Sequence, residues 1–228
     1  MIKCSTRLEA VDGGNGYSNE KLVTEYVQYG CGLCAPRSWL NFDCSPSLKL
    51  QRIPGLGWVF RKVTPPFPPH VRSANIVKGL PVSINSCTAI YCSHVLEHLA
   101  LADLEIALRH TYEYLRPDGT FRLVVPDLQA LARAYVSSSD PLASLQFMEA
   151  AGIGRKERRR GIVGLMRTWL GNSAHLWMWD ERSLSLKLQE HGFRSIRRAH
   201  FGDAEDPRFA DVEDAGRFSG AVALQCRK

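Results

Sequence analysis

Residues Glu25 to Asp43, EYVQYGCGLCAPRSWLNFD, constrain the fold more than any other stretch of this chain. Two strand-like segments, Glu25 to Tyr29 and Trp39 to Phe42, flank a glycine turn at Gly30, Cys31 and Gly32. Glycines on either side of one small residue let the backbone bend sharply and approach a ligand where a Cβ would intrude. Asp43 ends the second strand, where α/β folds that bind nucleotides place an acid against the ribose hydroxyls. A lone G-x-G is a weak signal. The carboxylate after a second apolar strand is what directs it toward a nucleotide-like ligand.

At 228 residues the chain suits one domain with a sizeable core, and 45% hydrophobic and 23% charged residues are ordinary for a globular protein. No apolar run is long enough to span a bilayer, and MIKCSTRLEA lacks a signal-like apolar segment, so a cytoplasmic location is expected. Seven cysteines scattered through apolar segments argue for reduced thiols rather than a disulfide framework. The net charge of +6 raises the question of nucleic acid. Much of the excess sits in Arg155 to Arg160 and at Arg194, Arg197 and Arg198, with acidic residues from Asp203 to Asp214 close by. A basic run of that length reads first as a solvated helix face.

Residues 1–20 carry Gly13, Gly14 and Gly16 and no apolar period, and read as a flexible lead-in to a single domain over 21–228. After Asp43 a short helix is expected around Leu48 to Ile53, broken at Pro54-Gly55. An extended proline-aromatic insertion, TPPFPPH, completes residues 53–70. Val71 to Lys78 reads as a third strand and its exit, and Thr88 to Cys92 as a fourth. Leu101, Leu104, Leu108, Tyr112 and Leu115 mark a helix that RPDG terminates, and Phe121 to Val125 is a fifth strand. Residues 128–170 have a helical pattern and are expected to form an insertion over the carboxyl edge of the sheet. Asp180 is a natural N-cap for a helix that stops at Gly192, and FRSIRRAHF and AVALQC read as two closing strands. Strands alternating with helices imply a doubly wound α/β fold with a mostly parallel sheet.

With these elements in order, the chain resembles the class I S-adenosylmethionine-dependent methyltransferases from about Glu25 to its end. GCG followed by WLNFD resembles the family's glycine motif and ribose-binding acid, joined by an unusually short connection. YCSHVLEHL resembles the segment after the fourth strand of small-molecule members, YLRPDGTFRLVVPD the helix-turn-strand region, and SAHLWMWDERSL with HGF the late motif. The resemblance implies a Rossmann-like sheet of seven strands, the last antiparallel, and S-adenosylmethionine as cofactor. It places Tyr29, Gly30, Cys31 and Gly32 near the methionine moiety, Asp43 on the ribose, and Ser93 and His94 at the sulfonium end. Ala74-Asn75 stands where the family often has Gly-Asp against the adenine amino group; the Asn75 carbonyl oxygen can still accept that bond, without charge. The third glycine of the longer motif is replaced by Cys34.

Methyl transfer needs the nucleophile held in line with an already activated sulfonium, and needs a base only for a hydroxyl or protonated amine. His94 is the first candidate base, with Asp127 a weaker one that also suits a helix N-cap. His94, Glu97 and His98 share one helical face, and His175 could join them. That set resembles the metal centre of some O-methyltransferases with His94 in place of a glutamate, yet the same residues can simply structure a pocket wall, and no metal is expected. Cys31-x-x-Cys34 has no second C-x-x-C and reads as small filler. Trp58, Phe60, Phe67, Trp177 and Trp179 are candidates for an acceptor wall or for core. The expected activity is methyl transfer to oxygen or nitrogen of a small-molecule or glycan-like acceptor, with no nucleic-acid partner. The alternatives are a degenerate methyltransferase fold acting as a binding or scaffold subunit, and an RNA methyltransferase.

Overall fold

A computed structural model describes residues 25–55, 57–154 and 174–228. The expected lead-in and the basic run at Arg155 to Arg160 lie outside these residues. Seven strands form one sheet in the order β3-β2-β1-β4-β5-β7-β6. They are β1 (Tyr26–Tyr29), β2 (Leu40–Asp43), β3 (Arg72–Ser73), β4 (Cys87–Ser93), β5 (Leu115–Pro126), β6 (Arg194–Ala199) and β7 (Ala221–Arg227). β1 pairs in parallel with both β2 and β4, β4 with β5, and β7 runs antiparallel to β5 and β6. The chain order reverses at β1, so the carboxyl ends of β1 and β4 open a crevice at the switch point where α/β sheets bind ligands.

Both faces of the sheet are covered, which is why β1 and β4 read as nearly continuous apolar runs. On one face lie α3 (Leu101–Tyr114) and α6 (Glu181–Glu190). Leu104, Ala107, Leu108 and Thr111 of α3 are buried at helical spacing, and Leu184 and Leu188 of α6 pack into the same core with Val27, Ile90, Phe121 and Leu123. Asp180 caps α6 through a reciprocal capping box with Ser183, as its position promised. α4 (Leu128–Ser137) and α5 (Ala143–Ala150) lie in the first part of the segment with a helical pattern, whose residues 155–170 are outside those described.

The opposite face is built in a less usual way. Parallel neighbours are normally joined through a crossover helix. Here Gly30 to Trp39 joins β1 to β2 without one. The surface such a helix would cover is covered instead by the connection between β6 and β7, which carries a 3-10 turn (Pro207–Asp211) and α7 (Ala215–Phe218). Phe209 and Val212 of that connection pack on Tyr26, Trp39, Ala89 and Tyr91. Its polar edge is pinned too: Tyr26 donates to Asp206 at 2.6 Å, Ser38 to Asp211 at 2.6 Å, and the Trp39 indole to the Arg208 carbonyl at 3.1 Å.

Arg122 of β5 secures the arrangement. Its side chain is fully buried and donates to Glu213, to Gln225 at 2.9 Å and to the His200 carbonyl at 2.6 Å, with Asp203 at 2.8 Å. A buried guanidinium is tolerated only when its donors are met, and the acidic stretch after β6 supplies the acceptors.

The segment read as a third strand and its exit divides as β3 (Arg72–Ser73) and a 3-10 turn (Ile76–Lys78), which the Asn75 side chain opens by accepting from Val77 N–H. Two local expectations are corrected. RPDG is absorbed into β5 as an irregularity: the pairing jumps from Cys87–Leu115 to Ala89–Thr120, with Asp118 at a φ of 59° and Gly119 too close to the Arg116 and Cys87 carbonyls for a Cβ. A second helix, α2 (Gly57–Val63), follows α1 (Pro46–Gln51) before the extended prolines.

Two outcomes follow for the clamp. Arg122→Met should lower unfolding free energy by about 3–5 kcal/mol in urea denaturation, because it leaves the buried Glu213 carboxylate without its cationic partner. Burial alone would raise the Asp203 carboxyl, but hydrogen bonds from Arg197 and Arg122 outweigh it and hold the group below its ordinary value. A depressed carboxyl stabilises the fold fully above its unfolded value and loses that contribution as pH falls through the folded one, here below about pH 4. Asp203→Asn should therefore flatten the acid limb of a stability-versus-pH curve; curves that stay parallel below pH 4 would disprove the linkage.

Candidate functional site

The glycine turn opens directly onto the crevice. Gly30 and Gly32 both hold left-handed backbone, with φ of 68° and 54°. A Cβ on Gly30 would lie 2.2 Å from Val95 Cγ2, so this glycine lets the turn seat against the loop after β4. Gly32 faces more open space, where the first atom a Cβ would meet is Arg217 Nη2 at 3.9 Å. Asp43 turns toward the same bend: one carboxylate oxygen accepts from Gly32 N–H at 2.9 Å and the other from Ser45 N–H at 2.8 Å. Each oxygen keeps a second lone pair, so the carboxylate can still accept from a ligand hydroxyl. The anion and the bare main chain thus sit together, as the spacing predicted.

Across the crevice, β4 ends at Ser93, and His94 follows with a φ of 54° that few side chains adopt. His94 Nδ1 lies 3.1 Å from Glu97 Oε1 and Nε2 lies 3.0 Å from the Arg217 carbonyl. The Glu97 hydrogen bond raises the imidazole's affinity for a proton, against the opposing effect of burial. With a carboxylate on one nitrogen and a carbonyl on the other, His94 is suited to donate from both. Base work would require it to release one of these partners.

Arg217, from α7, is the residue the sequence reading missed. Its guanidinium donates to the Ser93 carbonyl at 2.8 Å while reaching beside Gly32. It lies more than a hundred residues from both, in the connection between the two closing strands. No local pattern marks it; only the placement of that connection over the sheet does.

The other expected residues divide. Ala74 is joined to Asp43 by its N–H at 3.1 Å, keeping β3 and Asn75 beside the crevice. The Asn75 oxygen already accepts from Val77 N–H at 2.9 Å, so only its second lone pair is open to an adenine. Tyr29 is a correction: its ring is core, stacked on Phe121, and its hydroxyl pairs with Thr111 at 3.3 Å, leaving only its backbone at the edge. Cys31 is buried with Leu48 and Val71, and burial beside Asp43 pushes its thiol well above the ordinary range, as suits filler rather than redox chemistry. Asp127 serves as the N-cap of α4, accepting from Gln129 N–H at 2.9 Å and Ala130 N–H at 3.1 Å, with Arg198 3.5 Å from its other oxygen; this corrects its candidacy as a base. Phe60 and Phe67 line an apolar cleft with Leu33, Leu50 and Pro65. Trp179 is core and Trp58 is exposed with Lys62 over its ring, so the five aromatics do not form one wall. Glu97, His98 and His175 do converge, with one ligand atom of each within 4.8 Å of the others, and His94 stands behind Glu97 rather than among them.

No helix among the described residues is long and apolar enough to cross a membrane. No curated protein matches the chain in sequence. Solved structures show distant likeness. A SAM-dependent methyltransferase from Archaeoglobus fulgidus is 14% identical over 92% of this chain and 88% of its own, with a TM-score of 0.48. A possible histamine N-methyltransferase from Thermotoga maritima is 14% identical over 90% of this chain and 82% of its own, with a TM-score of 0.47. Human N-acetylserotonin methyltransferase in complex with SAM is 12% identical, with a TM-score of 0.42; the match covers 90% of this chain but only 48% of the human one. A family model described as a methyltransferase domain matches residues 35–197, which is most of the chain. The chain belongs to that methyltransferase-domain family.

Proposed function

We propose that the chain binds S-adenosylmethionine in the β1–β4 crevice and transfers its methyl group to oxygen or nitrogen of a small-molecule or glycan-like acceptor. One observation carries this reading: an anion, a bare backbone turn and a cation line one crevice in the order the cofactor requires. Asp43 would accept from the ribose hydroxyls, and the backbone at Gly30 and Gly32 leaves room for the methionine chain. Arg217, beside Gly32 and Ser93, would pair with the methionine carboxylate. Asn75 and Ala74 would border the adenine.

When bound, the cofactor supplies an activated methyl group on a sulfonium, so the protein's task is alignment and exclusion of water. Ser93 and His94 form the wall nearest the transfer. Held between Glu97 and the Arg217 carbonyl, His94 would act as a spacer, or as a donor to the acceptor once Nε2 releases the Arg217 carbonyl. The apolar cleft of Leu33, Leu50, Phe60, Pro65 and Phe67 opens beside the turn and suits a ring, aromatic or the apolar face of a sugar.

A second reading is a methyltransferase fold retained as a binding or scaffold subunit. It is favoured by the oxygens of Asp43 and Asn75 being already engaged within the protein. Titration calorimetry with S-adenosylmethionine separates the two: saturable binding supports the enzyme, and no heat at millimolar cofactor supports the scaffold. Asp43→Ala should weaken binding by roughly tenfold to a hundredfold, the loss expected for charge-assisted hydrogen bonds. An unchanged affinity would mean the ribose lies elsewhere. Arg217→Ala should erase the preference for S-adenosylmethionine over its decarboxylated analogue; if the preference survives, the guanidinium does not meet the carboxylate.

A further inference from the structure

Glu97 is fully buried in the turn after β4, and the hydrogen bonds around it leave one oxygen out. Oε1 pairs with His94 Nδ1 at 3.1 Å, whereas Oε2 is buried with no partner among the described residues. A buried carboxylate oxygen without a donor is an expensive feature, and its presence points to something that completes it. His98 and His175 stand beside it, their rings edge to face with centroids 5.0 Å apart.

The two imidazoles are held in one tautomer. His98 Nδ1 lies 3.1 Å from the Ala174 carbonyl and His175 Nδ1 lies 2.7 Å from the Ala151 carbonyl. A carbonyl oxygen only accepts, so each Nδ1 must carry its proton, and each neutral ring keeps its lone pair on Nε2. Backbone carbonyls on Nδ1 are the partners that metal-ligating histidines commonly have, since they fix both tautomer and ring orientation.

The backbone is shaped to bring the groups together. Leu176 and Trp177 N–H both donate to the Glu97 carbonyl, at 2.7 and 3.2 Å, and clip the 174–177 segment against the turn. Gly152 holds a φ of 65°, and a Cβ there would lie 2.6 Å from His175 Nδ1, so only glycine lets that ring enter. The ligand atoms of Glu97, His98 and His175 lie within 4.8 Å of one another. Bonds near 2.1 Å to one ion would bring them to about 3–3.5 Å apart, a small side-chain adjustment.

We propose that Glu97, His98 and His175 bind a divalent transition-metal ion through one carboxylate oxygen and two imidazole nitrogens. Two nitrogens and one oxygen select zinc, manganese, iron(II) or cobalt over magnesium or calcium, which favour all-oxygen shells. His94 supports the site from behind by donating to the other oxygen of Glu97. Three protein ligands leave positions open to water or an acceptor. An acceptor hydroxyl there would ionise more readily, a consequence that rests on the methyl-transfer reading, whereas binding of the ion does not.

The test uses the full chain, stripped with a chelator and titrated with cobalt(II) under absorbance, then with zinc(II) in competition. One equivalent should bind with visible d–d bands and without a thiolate charge-transfer band. His98→Ala and His175→Ala should each weaken uptake on the order of 100-fold. His191→Ala, at the far end of α6, should leave it unchanged. Zinc should raise the melting temperature of the parent and not of the two variants, whose own cooperative melts show that they fold. No saturable uptake, a thiolate band, or equal affinity after both substitutions would overturn the site. Calorimetry of S-adenosylmethionine with the metal-free protein reads the crevice separately, so failure of one assignment does not mimic failure of the other.

Discussion

A guanidinium held in the interior decides how this molecule is put together. Arg122 projects from the middle of the sheet and is fully shielded from solvent, and the residues that neutralise it come from the stretch between β6 and β7. Removing either partner alone leaves an uncompensated charge, so the stretch has little freedom to lie elsewhere. Its fixed position lets Phe209 and Val212 roof one face of the sheet and lets α7 deliver Arg217 to the crevice. The electrostatic clamp and the candidate cofactor site are parts of one arrangement.

Much of the architecture was legible from periodicity and punctuation. The glycine turn, the acid after the second strand, the α3 stripe and the Asp180 cap were readable because local chemistry dictates each of them. At Asn75 one side chain can serve a ligand or its own backbone, and here it opens the 3-10 turn by which the chain leaves β3. Tyr29 misled because strand residues alternate faces, and its position on the pleat points it into the core. Arg217 was invisible for another reason. Its role comes from tertiary placement across the whole sheet, and no window of neighbouring residues encodes that.

The histidines show how far spacing alone can go. His94, Glu97 and His98 suggested one shared face, and the folded turn keeps them adjacent. The backbone divides their work, however: His94 turns toward Arg217, whereas His98 turns toward the 174–177 segment and meets His175. The same three residues therefore face two ways, with Glu97 bonded to His94 on one side and grouped with His98 and His175 on the other.

The missing crossover helix between β1 and β2 carries a consequence for biogenesis. Strands that cradle a nucleotide early in a chain can often do so with local cover. Here that cover, and the cation facing the glycine turn, belong to residues synthesised after six of the seven strands. During translation the pocket stays half-walled until α7 has left the ribosome, and complete walls become an indicator that six strands and the connection after them have been made and have docked.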